Sequence, residues 1–127
     1  MSIDLVIQVE NEPGALAKVA AAVSDAGVNL AAATCTRPGE KADLHILVKH
    51  AEAAKRVLGI SGLTVTSERE VVVVDAEDRP GALADLARKV AEAGVDLDLV
   101  YVATSTRIVF GSPDLEGLKT ALGIKDE

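Results

Sequence analysis

From Ile3 to Val9 the chain is apolar and rich in β-branched residues, which predicts a buried strand. "NEPG" interrupts it, and Pro13 then stands where the first turn of a helix tolerates proline. Leu16, Val19, Ala20 and Val23 recur at helical spacing and predict one apolar stripe. Gly27 follows, where glycine commonly closes a helix in the left-handed conformation. Val28–Thr36 predicts a second strand, "RPGEK" a turn, and Leu44–Lys49 a third strand. Ala51–Leu58 predicts a short helix stopped by Gly59, and Leu63–Ser67 a fourth strand. The order βαββαβ is the split unit of a ferredoxin-like sandwich.

The pattern then repeats. Val71–Ala76 predicts a strand, and Pro80–Ala93 a helix with the stripe Leu83, Leu86, Ala87 and Val90, closed by Gly94. Val95–Ala103 and Arg107–Phe110 predict two strands, and Pro113–Leu122 a helix ended by Gly123. "ENEPGALAKVAAAVSDAGVNL" and "EDRPGALADLARKVAEAGVDL" lie 67 residues apart, with eleven identities over the eighteen positions from proline to the final leucine. The expected fold class is α+β: two tandem ferredoxin-like units, residues 1–68 and 69–127, with antiparallel sheets and helices on one face. Only "IKDE" follows Gly123, so the second unit is expected to lack a full fourth strand. Units of about 60 residues bury only about 60% of their unfolded surface, so a shared sheet or core is expected.

The linker sharpens this expectation. Three residues, "ERE", separate Leu63–Ser67 from Val71–Ala76 and suit a hairpin. Joining two sheets of order 4-1-3-2 through their second strands would separate the linked strands by about 29 Å. Three extended residues reach only about 10 Å. Leu63–Ser67 is therefore expected to hairpin with Val71–Ala76 and to serve as fourth strand for both units. The second strands, left at the edges, are then expected to pair between chains as a homodimer.

Composition narrows the function. Twenty acidic residues stand against thirteen basic ones, and Tyr101 and Phe110 are the only aromatics. A nucleic-acid partner would need clustered cations and stacking rings, so none is expected. No apolar run approaches the roughly 18 residues of a membrane helix, and "MSIDLVIQVE" lacks the layout of a signal peptide, so a cytoplasmic protein without a membrane partner is expected. The alanines favour helix and close packing on a sheet. Cys35 is a single cysteine and is expected to be a small buried residue in a reducing compartment.

Candidate chemistry gathers at the two helix starts. Asn11 precedes Gly14 by three residues, and Asp78 precedes Gly81 by three. The amides of Gly14 and Ala15, and of Gly81 and Ala82, are expected to be free to meet a carboxylate at a helix N-terminus. Glycine lets a ligand approach the backbone closely. Asn29 and Asp96 are expected to open the second strand of each copy. Asn or Asp at a helix start is also an ordinary capping or turn residue, and the recurrence of the whole set in both copies favours the ligand. Cys35, Asp43 and His45 offer a nucleophile, base and orienter without any supporting motif, and His45 is expected to be a solvated strand residue. Cys35, His45 and His50 lack metal-ligand spacing, and no phosphate loop is present, so no cofactor, metal or catalysis is expected.

The two copies resemble the first half of an ACT domain, the small-molecule sensing module of amino-acid metabolism. The shared pattern is Asn or Asp, one residue, Pro-Gly, a helix with Leu two residues on, then Gly-Val-Asn or its equivalent. The resemblance covers nearly the whole chain as two tandem copies, like short stand-alone tandem-ACT proteins. It implies a small amino acid bound at the interface between ACT units, touching the loop of one unit and the second strand of its neighbour. Carried over, the contacts fall on Asn11, Glu12, Gly14, Ala15, Leu16, Asn29 and Leu30, and on Asp78, Arg79, Gly81, Ala82, Leu83, Asp96 and Leu97. Serine-sensing members often carry a histidine where this chain has Val9 and Ala76, which argues against serine. Asn11 and Asn29 can donate and accept, whereas ionised Asp78 and Asp96 only accept, so the first copy is expected to be the better site for a zwitterion. The function expected is a non-catalytic regulator. The alternative is a subunit that docks on an amino-acid biosynthetic enzyme without a ligand of its own.

Overall fold

In the computed structural model, which describes residues 2–10, 13–25, 27–28, 31–36 and 40–124, six strands and four helices follow one another. They are β1 (Ser2–Val9), α1 (Ala15–Asp25), β2 (Ala33–Thr36), β3 (Ala42–Val48), α2 (Ala51–Ile60), β4 (Val65–Asp75), α3 (Ala82–Glu92), β5 (Leu99–Val102), β6 (Arg107–Gly111) and α4 (Leu115–Leu122). The chain divides into two units, Ile3–Arg69 and a second from Glu70 onward.

In the first unit β3 pairs antiparallel with β1 on one side and β2 on the other. β4 lies along the far side of β1, with the Gln8 amide donating to the Thr64 carbonyl at 3.1 Å. The strand order β2-β3-β1-β4 is that of a complete ferredoxin-like unit. Ile3, Leu5, Ile7 and Val9 alternate onto one face and meet Leu44, Ile46 and Val48 of β3. Val19 and Val23 of α1, with Ala51, Ala54 and Leu58 of α2, close this core.

The other face of β1 is buried too. Asp4 is 0% exposed, and His45 Nδ1 donates to its carboxylate at 2.9 Å. Asp4 lies opposite Leu47 and His45 opposite Val6, so the two are diagonal neighbours on one face, within reach of long side chains. The expectation of a solvated His45 is therefore corrected: its imidazole satisfies a buried carboxylate.

In the second unit the order is β4-β6-β5, a first, third and second strand, with no fourth among the described residues. Val72, Ile108 and Phe110 of the sheet pack with Val90 of α3 and Leu118 of α4. At the start of α4 the Asp114 carboxylate accepts from the Gly117 amide at 3.0 Å, a side-chain cap.

Strand β4 departs from the sequence reading. It runs without a break from Val65 to Asp75, so the hairpin at Glu68–Glu70 does not form. Those three residues include no Gly, Pro, Asn or Asp to supply a turn conformation. For the second unit β4 is the first strand, not a fourth. Each unit also ties its second helix to β4 by the same device. Lys55 reaches Glu68 at 2.6 Å and Glu52 at 2.9 Å; Lys119 reaches Glu70 at 3.0 Å and Glu116 at 3.9 Å. Hydrogen bonds donated to Glu68 and then to Glu52 hold the Lys55 ammonium above its ordinary range.

Other boundaries shift. β2 and β5 are each four residues long, much shorter than the strands expected. α2 runs through Gly59 to Ile60. Cys35 is exposed, because β2 is a sheet edge rather than a covered strand. No helix among the described residues is long and apolar enough to cross a membrane. Replacing His45 with alanine is expected to leave the Asp4 carboxylate short of one partner and to cost about 2 kcal/mol, read by urea unfolding.

Candidate functional site

The helical rows that face the core explain what each copy presents outward. In α1 the inward row is Ala15, Val19 and Val23; in α3 it is Ala82, Leu86 and Val90. Each row begins at the alanine after the glycine, one position earlier than the stripe read from the sequence. Leu16 and Leu83 consequently turn outward, 46% and 44% exposed. The same rotation in both copies leaves an apolar side chain beside each loop.

In the first copy β1 ends at Val9, and Glu10 pairs with Lys41 at 3.2 Å across the exposed surface. Asn11, Glu12, Asn29 and Leu30 lie outside the described residues. Gly14 has φ +84°, a conformation that L side chains rarely adopt, and its carbonyl accepts from the Lys18 amide at 3.0 Å. Among the described residues other than its chain neighbours, nothing stands within 4 Å of where a β-carbon on Gly14 would sit.

In the second copy the loop is bound to itself. Gly81 has φ +87° and precedes α3, with no side chain capping the helix there. The Arg79 guanidinium lies over it: Nε meets Glu77 at 3.0 Å, Nη2 meets Asp85 at 2.8 Å, and Nη1 meets the Pro80 carbonyl at 3.3 Å. Nη1 is 3.7 Å from where a β-carbon on Gly81 would stand. Arg88 adds a 3.3 Å contact to Asp85. Asp85 and then Glu77 hold Arg79 above its ordinary range, while Arg79 chiefly holds the Asp85 carboxyl below its own.

Two expectations are corrected here. The Ala82 amide is not free, because it donates to the Arg79 carbonyl at 3.3 Å, and the Arg79 amide donates to Glu77 at 3.0 Å. The loop folds as a tight turn whose own carbonyls reach the helix start. Asp96 does not open a strand: it is exposed, three residues before β5, and Leu97 packs into the core of its unit. Asp78 is exposed beside Arg79. Glu77, Asp85 and Arg88 were not singled out from the sequence. A signal was present, since positions 79 and 85 carry Arg and Asp where the first copy carries Glu12 and Lys18, the same opposite-charge pair with its signs exchanged. Among the described residues no group of three or more His, Cys, Asp or Glu side chains could hold a metal ion.

The family profile described as ACT domain matches residues 3–58 and again 71–122. Among solved structures, protein BT0572 from Bacteroides thetaiotaomicron aligns with a TM-score of 0.81 at 22% identity, covering 95% of this chain and 85% of that one. The regulatory subunit of aspartate kinase from Thermus thermophilus, in its ligand-free form, aligns with a TM-score of 0.66 at 19% identity, covering 96% and 89%. The aspartokinase alpha and beta subunits align with a TM-score of 0.63 at 15% identity, covering 97% and 93%. At these identities the likeness is one of fold. No curated protein matches the sequence.

The Arg79 pairing carries its own test. A carboxyl titration by NMR is expected to place Asp85 below its ordinary 3.8, and Arg79→Gln to move it back up. Since the folded value is the depressed one, the tie is present above the unfolded carboxylate range and is lost as pH falls through the folded value.

Proposed function

The chain belongs to the ACT domain family, and from that premise we propose that it is a non-catalytic regulator that binds a small amino acid. The observation that carries this reading is the repeated helix start. In both copies a left-handed glycine opens the helix and a leucine one position past the buried row faces outward. Amides at a helix N-terminus, beside positive partial charge, suit a carboxylate, and glycine leaves the backbone approachable. The outward leucine offers an apolar contact to a side chain.

The first copy is the preferred site. No described residue beyond its chain neighbours crowds Gly14, and Asn11 and Asn29 can serve either end of a zwitterion. In the second copy the Ala82 amide is already engaged and Arg79 spans the loop. Asp78 and Asp96 would repel a carboxylate held close to them. The ligand would lie where one ACT unit meets a neighbour, in a homodimer formed through edge strands. β5 offers such an edge, with Val100 and Val102 exposed by 41% and 65%. A ligand that prefers one arrangement of the pair would shift its population, and with it the affinity for an effector enzyme in the cytoplasm.

A second reading is a subunit that docks on an amino-acid biosynthetic enzyme without a ligand of its own. The fold likeness to an aspartate kinase regulatory subunit favours it. Thermal unfolding of the purified chain against each of the twenty amino acids separates the two. A true ligand at a hundred times its Kd adds about 2.7 kcal/mol and raises the midpoint. No shift with any of them favours the docking subunit. Calorimetry with the ligand so found is expected to show a larger loss for Asn11→Ala than for Asp78→Ala, and the opposite order would overturn the assignment to the first copy.

A further inference from the structure

The connection between β5 and β6 is strained at two adjacent residues. Ser105 and Thr106 have φ of 59° and 56°, the left-handed region that hairpin turns usually give to glycine or asparagine. For a β-branched residue such as Thr106 this conformation is a genuine outlier. Glycine or asparagine would make the same turn with less strain, so the threonine side chain calls for an account.

That side chain reaches out of its own hairpin. Thr106 Oγ1 lies 2.9 Å from the Ala76 carbonyl and 2.6 Å from the Ser105 carbonyl, which share its one hydrogen. The Ala76 amide donates back to the Thr106 carbonyl at 3.1 Å. Both backbone polar groups of Ala76 are therefore held by one residue, just past the point where the β4–β6 ladder ends at Asp75 and Arg107. The turn is braced from behind. Arg107 donates from Nε to the Thr104 carbonyl at 2.9 Å and from Nη2 to the Thr104 hydroxyl at 2.7 Å.

Ala76 is the root of the loop that carries Glu77, Asp78, Arg79 and Gly81. Its neighbour Glu77 anchors Arg79 twice, by its carbonyl and by its carboxylate. The contacts run in one line from Thr106 to Ala76, to Glu77, to Arg79 and on to Asp85 in α3. We propose that Thr106 is a positioning residue: its strained turn clasps Ala76 and thereby sets the pose of the Glu77–Gly81 loop. Strain at one position is tolerated because the surrounding contacts over-determine it. The importance of this clasp for ligand binding rests on the regulatory reading above, while the clasp itself does not.

Amide hydrogen exchange on the whole chain, with no ligand added, tests it through three variants. Thr106→Val keeps the β-branch and removes the hydroxyl; Thr106→Gly removes both hydroxyl and strain; Thr106→Ser keeps the hydroxyl. In the valine and glycine variants the Arg79 and Ala82 amides are expected to exchange about five-fold faster, the size of one such hydrogen bond. Serine is expected to restore the wild-type rate. The glycine variant is also expected to keep or raise its unfolding midpoint, so the faster exchange cannot be general destabilisation. Unchanged exchange at Arg79 and Ala82 in both the valine and glycine variants overturns the proposal, and so does a serine variant that behaves like valine. Because no ligand is present, either result stands apart from the amino-acid screen.

Discussion

Strand β4 is the constraint on which both units depend, because one extended segment must satisfy two sets of backbone groups. Its first residues complete a four-stranded ferredoxin-like sheet beside β1, and its last residues begin a three-stranded one beside β6. A backbone amide or carbonyl left unpaired inside a sheet is costly, so a break at Glu68–Glu70 would have to be compensated locally. The sequence there supplies no turn residue, and the strand continues. The side chains follow the same logic. Glu68 and Glu70 are two apart, and each receives the lysine at the fifth position of its unit's second helix.

The duplication preserves backbone and redistributes charge. Both copies keep the left-handed glycine, the buried row that begins at the following alanine, and the outward leucine. Around that common frame the second copy builds Glu77, Arg79, Asp85 and Arg88 into a network that consumes its own polar groups. Exposed ion pairs of this kind add little stability. Their effect is on the loop's free polar groups, because a guanidinium held by two carboxylates and a carbonyl has few donors left. The two copies thus keep one backbone frame while differing in the charges placed around it.

Much of this was legible in the chain itself. The repeat, the strand and helix types and the ferredoxin-like order all follow from periodicity and glycine placement, which act over a few residues. The positive φ of Gly27 and Gly94 follows as well, since a glycine after the last periodic residue commonly closes a helix in the left-handed conformation.

Long-range partners decided the rest. Asp4 and His45 stand 41 residues apart, and only the β1–β3 register makes them diagonal neighbours. Val19, Val23, Leu86 and Val90 face the cores as the periodic stripes indicated, but Leu16 and Leu83 lie outside, because how each helix beds on its sheet decides which flank is covered. The Ala82 amide looked free because its acceptor is a turn carbonyl that local pattern does not reveal. Thr106 carried no signal at all: its contact with Ala76 exists only because the turn of one hairpin lies against the residue that follows β4. Short-range sterics and hydrophobic spacing are written in consecutive residues, whereas hydrogen bonds between distant segments exist only once the sheet has set their register.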